Sequence, residues 1–304
     1  MNNPLITEIC GVKFNNPLIM ASGTFGYGLE YSEIIDLNKI GGISVKGISL
    51  NEVQGNPMPR IMETHAGMLN AIGLQNVGVE KFIKEKLPDI KKYSTRIIAN
   101  FWGKTVDEYV KVAEVLDKED VDMLEMNISC PNIKEGGIAF GTDPKMTFNV
   151  VSEVKKAVNN KPLVVKLSPN VSDISIFGRA VEDAGADAVS AINTLLGMSI
   201  NTNTRKPFLS NVTGGLSGPA IKPVAVKMVY DLYKTISIPI IGIGGIMNYK
   251  DVIEFYLAGA SAVQIGTANF VDPEITLEII KDLENYCNEN KIANISQLSG
   301  GIIV

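Results

Sequence analysis

The stretch IPIIGIG, residues 238–244, decides the fold. It is almost wholly aliphatic, short, and closed by glycine, which describes a strand covered on both faces rather than one side of an amphipathic helix. Working outward, seven more such runs punctuate the chain: PLIMAS (17–22), GISVKG (42–47), RIIANF (96–101), DMLEMN (122–127), LVVKLS (163–168), ADAVSAIN (186–193) and SAVQIGT (261–267). Helical patterns fill the intervals near 30–38, 78–87, 105–118, 145–158, 173–184, 219–235, 249–258 and 274–288. In the third of these, Val106, Tyr109, Val110, Ala113 and Leu116 share a face, and Thr105 with Glu108 has capping-box spacing. Eight strands, each followed by a helix, predict an α/β chain folded as a (β/α)8 TIM barrel, with residues 1–304 forming a single domain that carries active-site loop insertions. The competing doubly wound sheet is expected to show a dinucleotide fingerprint after its first strand, and ASGTFGYG (21–28) lacks GxGxxG spacing.

Composition narrows the function classes. Hydrophobic residues make up 45% of the chain and charged residues 20%, which excludes a disordered or fibrous protein. The net charge of -5 and the lack of a Lys/Arg cluster argue against a nucleic-acid partner. The first 23 residues show no basic region followed by a long apolar one, so neither a signal peptide nor a membrane anchor is expected, and the location read from this is cytoplasmic. Cys10, Cys130 and Cys287 have no CxxC spacing, which speaks against a disulfide framework or zinc site, and they are fewer than the four ligands of a conventional iron-sulfur cluster. The single histidine, His65, rules out a metal site built on histidines.

In a barrel of this kind the chemistry lies at the C-terminal ends of the strands. Those ends carry Lys46, Asn100, Asn127, Lys166, Asn193 with Thr194, Gly244 with Gly245, and Gly266 with Thr267. Strand ends that only pack would be expected to be apolar, because buried lysines and amides need partners. Turn formation explains any one of the asparagines but explains the set poorly. Asparagines match the lactam and imide edges of a pyrimidine or flavin, and lysines suit anionic groups. The glycines ending strands seven and eight let backbone N–H groups approach a phosphate where barrels commonly bind one, and GGLSGPA (214–220) adds a further close-approach loop. Glu125 shares the alternation of Asn127, next to the strand of Lys166, and a buried pairing of the two follows as a structural expectation. Cys130 lies three residues beyond Asn127 and opens the glycine-bearing loop 131–144, a lid or a surface insertion. There its thiol can face a bound ring, as a nucleophile or as a base that works better as the pH rises.

The motifs ASGTFGYG (21–28), NAIGLQN (70–76), NISCPN (127–132), VVKLSPN (164–170), INT (192–194), GGLSGPAIKP (214–223), IGIGGI (241–246) and IGTA (265–268) occur in this order, and through them the whole chain resembles the class 1 dihydroorotate dehydrogenases, B type. The resemblance implies an FMN-containing barrel that oxidises dihydroorotate to orotate in pyrimidine synthesis. It implies Cys130 as the base that removes the C5 proton. Substrate would be held by Lys46, Asn70, Ala71, Ile72, Gly73, Leu74, Asn127, Asn193 and Thr194. FMN would be held by Ser22, Lys46, Gly47, Asn100, Asn127, Lys166, Ile192, Gly218, Gly244, Gly245, Gly266 and Thr267, with Lys166 stabilising negative charge on the reduced flavin. It further implies an iron-sulfur partner subunit that carries FAD and a 2Fe-2S cluster and passes electrons to NAD, and a homodimer of this chain within a heterotetramer. The run GGLSGPAIKP favours B over the fumarate-linked A type. Trp102, His65 and Asn201 depart from the family pattern, and none is an assigned site residue. A reading from a different class is a Schiff-base aldolase using Lys166. A non-catalytic binding barrel and an RNA uridine reductase fit the thiol and the acidic balance less well.

Overall fold

Residues 3–128 and 140–303 are described by a computed structural model. Eight parallel strands close into a barrel: Leu18–Met20, Gly42–Ser44, Arg96–Phe101, Met123–Asn127, Leu163–Lys166, Ala188–Ala191, Ile240–Ile243 and Ala262–Ile265. They are numbered one to eight below and follow one another around the barrel in chain order. The last pairs with the first through Ile265 and Met20. All eight expected strands are present, because a strand buried on both faces has a continuous apolar signature that period alone does not obscure.

The interior is layered. Ile19, Ile98, Met123, Val164, Ala188, Ile241 and Ala262 form an apolar layer at the N-terminal end of the strands. A short antiparallel hairpin, Thr7–Ile9 with Val12–Phe14, lays Ile9 and Phe14 against that layer and closes it. Outside, the helices Val106–Leu116, Pro144–Ala157, Ile174–Asp183, Lys222–Tyr233, Tyr249–Leu257 and Ile275–Glu289 cover the barrel. Their starts are local decisions. Thr105, Asp143 and Asp173 each accept from a backbone N–H in the first turn, and Asn248 with Asp251 forms a reciprocal capping box.

Two expected helices differ. Residues 30–38 form two separate 3-10 turns, Leu29–Tyr31 and Leu37–Lys39, because extended Asp36 takes the Asn38 N–H for its own carboxylate and restarts the chain. In 78–87, an α-helical start at Val79–Lys81 widens into a π-turn over Phe82–Lys86 and then returns to α at Leu87–Ile90. Pro88 accounts for this, since it has no N–H to donate and its ring crowds the carbonyl four residues back.

An antiparallel sheet not expected from the sequence joins Ile61–Thr64, Gly67–Asn70, Thr213–Ser217 and Leu195–Met198. It stands beside the barrel mouth, because Ile61, Met68, Asn70 and Ser217 all border the cavity there. Among the described residues no helix is long and apolar enough to cross a membrane.

The hairpin is a stopper rather than decoration, so Phe14→Ala is expected to lower the unfolding free energy by about 3–5 kcal/mol in chemical denaturation. A midpoint equal to that of the wild type would show that the barrel floor closes without it.

Candidate active site

Above the apolar layer the barrel interior turns polar, and its centre is Glu125 on strand four. The residue is fully buried. Its carboxylate accepts from Ser44 Oγ at 2.6 Å, Asn100 Nδ2 at 2.7 Å, Ser190 Oγ at 2.8 Å and Gln264 Nε2 at 2.6 Å. These donors come from strands two, three, six and eight, so one side chain ties together half of the barrel. Burial opposes ionisation, but the charge of Lys166 and the hydrogen bonds outweigh it and hold the Glu125 carboxyl below the ordinary glutamate value. The interaction with Lys166 is therefore charge acting across the interior, added to four direct hydrogen bonds that sequence reasoning missed. Serine and glutamine inside a strand give no sign of a common partner until the barrel closes.

The next layer is the cavity floor. Lys166 and Asn127 are aligned across strands four and five, and both are nearly buried. Asn193 Nδ2 donates to Asn127 Oδ1 at 3.4 Å, the Thr194 N–H donates to Asn193 Oδ1 at 2.8 Å, and Asn170 Nδ2 donates to the Thr194 carbonyl at 3.0 Å. The Tyr109 hydroxyl donates to the Asn127 carbonyl at 2.8 Å, which fixes the end of strand four. After strand seven, Gly245 has φ +70°, and an added Cβ would lie 2.8 Å from the Gly218 carbonyl and 3.0 Å from the Lys222 nitrogen. Bare backbone is the only wall that fits there. The Thr267 hydroxyl and Ser217 Oγ are hydrogen-bonded at 2.8 Å beside it.

The cavity gathers Ser22, Lys46, Gly47, Asn70, Ile72, Gly73, Leu74, Asn100, Asn127, Lys166, Ile192, Asn193, Thr194, Gly218, Gly244, Gly245, Gly266 and Thr267. Ala71 is different. It is fully buried in a small apolar cluster with Leu69 and Leu209, its N–H donates to the Arg60 carbonyl, and its carbonyl accepts from Asn56 Nδ2. Its neighbours Asn70 and Ile72 line the cavity, and the alternation of extended chain turns the Ala71 side chain away from it. Cys130 and loop residues 131–139 lie outside the described residues. Met68, Ser217 and Phe270 also line the cavity. Met68 and Ser217 belong to the unexpected sheet, and only the position of Ser217 within GGLSGP hinted at a role.

The other two cysteines are structural. Burial, helped by the nearby Asp187 charge, pushes the Cys10 thiol up to about 11, and Cys10 Sγ lies 3.2 Å from the Asp187 carbonyl. Burial likewise raises Cys287.

A family model described as dihydroorotate dehydrogenase matches residues 4–287. The chain belongs to the dihydroorotate dehydrogenase family. Among its relatives is a protein of Geotalea uraniireducens (strain Rf4), named dihydroorotate dehydrogenase B (NAD(+)), catalytic subunit, 54% identical over 98% of each chain. A protein of the same name from Thermoanaerobacter pseudethanolicus is 51% identical over 99% of each chain. Another from Lachnoclostridium phytofermentans is 53% identical over 96% of this chain and 97% of its own. In this dihydroorotate dehydrogenase family member the matched span includes all eight barrel strands and the polar ends of those strands.

Because the Glu125 carboxyl titrates below its ordinary value in the fold, its network stabilises the protein fully above the ordinary glutamate range, and that contribution fades as the pH falls through the lowered folded value. Glu125→Gln is therefore expected to be about 3–5 kcal/mol less stable near neutral pH. The gap should narrow below about pH 4, measured by denaturant unfolding across pH. A gap constant across that range would mean that the carboxyl is not ionised in the fold.

Proposed function

We propose that this chain is the catalytic subunit of a B-type dihydroorotate dehydrogenase, a single FMN-binding barrel that oxidises dihydroorotate to orotate in pyrimidine synthesis. The observation that carries the reading is the cavity itself, where Lys46, Lys166 and a set of asparagines face a bare-backbone wall formed by Gly218, Gly244 and Gly245. Full-length relatives named as this catalytic subunit support it. An FMN fits the donors present: Asn100, Asn127 and Lys166 for the ring, Ser22, Gly47 and Ile192 beside it, and Gly218, Gly244, Gly245, Gly266 and Thr267 for the phosphate. When bound, FMN supplies the acceptor for the hydride that leaves C6 of dihydroorotate.

The chain supplies the rest. Lys46 pairs with the substrate carboxylate, while Asn70, Asn127, Asn193 and Thr194 hold the amide edges of the ring against the backbone of Ile72, Gly73 and Leu74. The Asn193–Asn127 bond and the Tyr109 anchor keep these amides from turning with the strand ends. Cys130, as thiolate, takes the proton from C5. Lys166 lines the cavity, where its positive charge would favour negative charge developing on a flavin bound there. Electrons leave through a partner subunit that carries FAD and a 2Fe-2S cluster and reduces NAD, because the three cysteines of this chain are too few for a conventional cluster. We further assign the chain to the cytoplasm, as a homodimer within a heterotetramer.

Purified protein reconstituted with FMN is expected to be yellow and to bleach anaerobically on addition of dihydroorotate. Cys130→Ala should keep its FMN and lose about 100- to 10,000-fold in the rate of flavin reduction, with the wild-type rate rising with pH as the thiol ionises. Reduction at the wild-type rate by that variant contradicts the assignment of the base. A colourless protein that borohydride traps with a carbonyl substrate would replace the whole reading with a Lys166 Schiff-base aldolase.

A further inference from the structure

Asn100 is held at one end and unsatisfied at the other. Its Nδ2 donates to Glu125 Oε2 at 2.7 Å, so turning the amide over would set its oxygen against a carboxylate. Its Oδ1 is fully buried without a hydrogen-bond partner and lies beside Gly47, where an added Cβ would come within 2.9 Å of it. Asn100 and Gly47 both form part of the cavity wall. A buried acceptor without a donor is a standing penalty that a ligand N–H removes. Glu125 does not serve the ligand directly, because its two oxygens already accept from Ser44, Asn100, Ser190 and Gln264. Its influence on the cavity runs through the groups it orients.

Resting on the reading that the cavity holds FMN, we infer that Glu125 is a positioning residue, which locks the Asn100 amide so that Oδ1 accepts the single ring N–H of the oxidised flavin, the imide between its two carbonyls. The identity of the residue matters for this role. A neutral glutamine at 125 carries its own N–H donors and tolerates either orientation of Asn100, whereas a carboxylate accepts only one. Dihydroorotate carries an imide of the same kind, so binding of FMN in the absence of substrate separates the two sources of the N–H.

The test titrates apo-protein with FMN, following flavin fluorescence, for wild type, Glu125→Gln, Asn100→Ala and the double variant. Each single change is expected to weaken FMN binding roughly tenfold, and Glu125→Gln added to Asn100→Ala to weaken it by no more than about twofold further, because Glu125 acts through Asn100. A Glu125→Gln protein that binds FMN as tightly as wild type, or losses that multiply in the double variant, would overturn the inference. An Asn100→Ala protein that loses affinity for orotate but not for FMN would overturn it as well.

If Glu125→Gln does not fold, Asn100→Asp gives an independent reading. Two carboxyls at hydrogen-bonding distance share one proton, so FMN affinity of Asn100→Asp should acquire a pH dependence near neutrality that wild type lacks. Equal pH profiles would overturn the inference. Wild type should also bind a flavin methylated at the imide nitrogen more weakly than FMN, while Asn100→Ala treats the two alike. Failure of wild type to bind FMN at all ends the cofactor reading and this inference together. Retention of FMN by wild type with any of the contrary results above ends only the inference.

Discussion

A single buried carboxylate organises the upper half of this barrel. Removing Glu125 from water costs several kcal/mol, and the fold offsets that with four hydrogen bonds from strands on different sides of the interior. None of the four donors carries a charge, so each brings little desolvation penalty of its own. The positive charge of Lys166 then acts through a low-dielectric interior, where it is felt more strongly than it would be in water. The arrangement is intolerant of partial loss, because a network with one member missing leaves a buried polar group unpaired.

This constraint divides the barrel into functional storeys. Below Glu125 the interior is a closed apolar floor, capped by Ile9 and Phe14 from the N-terminal hairpin. Above it the strands end in groups too polar to be packing alone, and the walls alternate between amides, lysines and bare glycine backbone. The antiparallel sheet beside the mouth extends those walls beyond the strands, contributing Asn70 and Ser217 from two paired strands. The mouth is thus built partly from the barrel and partly from an insertion, while the rigid elements beneath hold the polar groups in register. Asn127, Asn193 and Asn170 are hydrogen-bonded within the fold, and side chains set in this way leave less to be ordered on association with a ligand.

The barrel was legible in the sequence because strands buried on both faces need no alternation to reveal themselves, and the strand-end asparagines and lysines stood out against that apolar background. The mouth sheet was not legible. Its strands run through glycine-rich chain such as Thr213–Ser217 and are half exposed, so neither period nor composition marks them. Residues 30–38 misled because apolar spacing outweighed Asp36, a residue better suited to capping a new turn than to continuing an old one. The burial of Ala71 was not legible either, since a five-residue motif read whole does not show which of its members the fold turns into an apolar cluster. The role of Glu125 was half visible: its neighbourhood with Lys166 followed from adjacent strands, but its four direct partners lie between 25 and 139 residues away in sequence. Only closure of the barrel brings them together.

The proposed reaction requires the cavity above the Glu125 layer to take a flavin and a dihydropyrimidine together, with Cys130 serving the substrate ring. A crystal structure of the protein with FMN and orotate tests this most directly. The phosphate is expected against Gly245 and Thr267, the flavin ring beside Lys166, and Sγ of Cys130 within about 3.5 Å of orotate C5. A sulfur remote from the orotate ring, or a flavin seated outside this cavity, would contradict it.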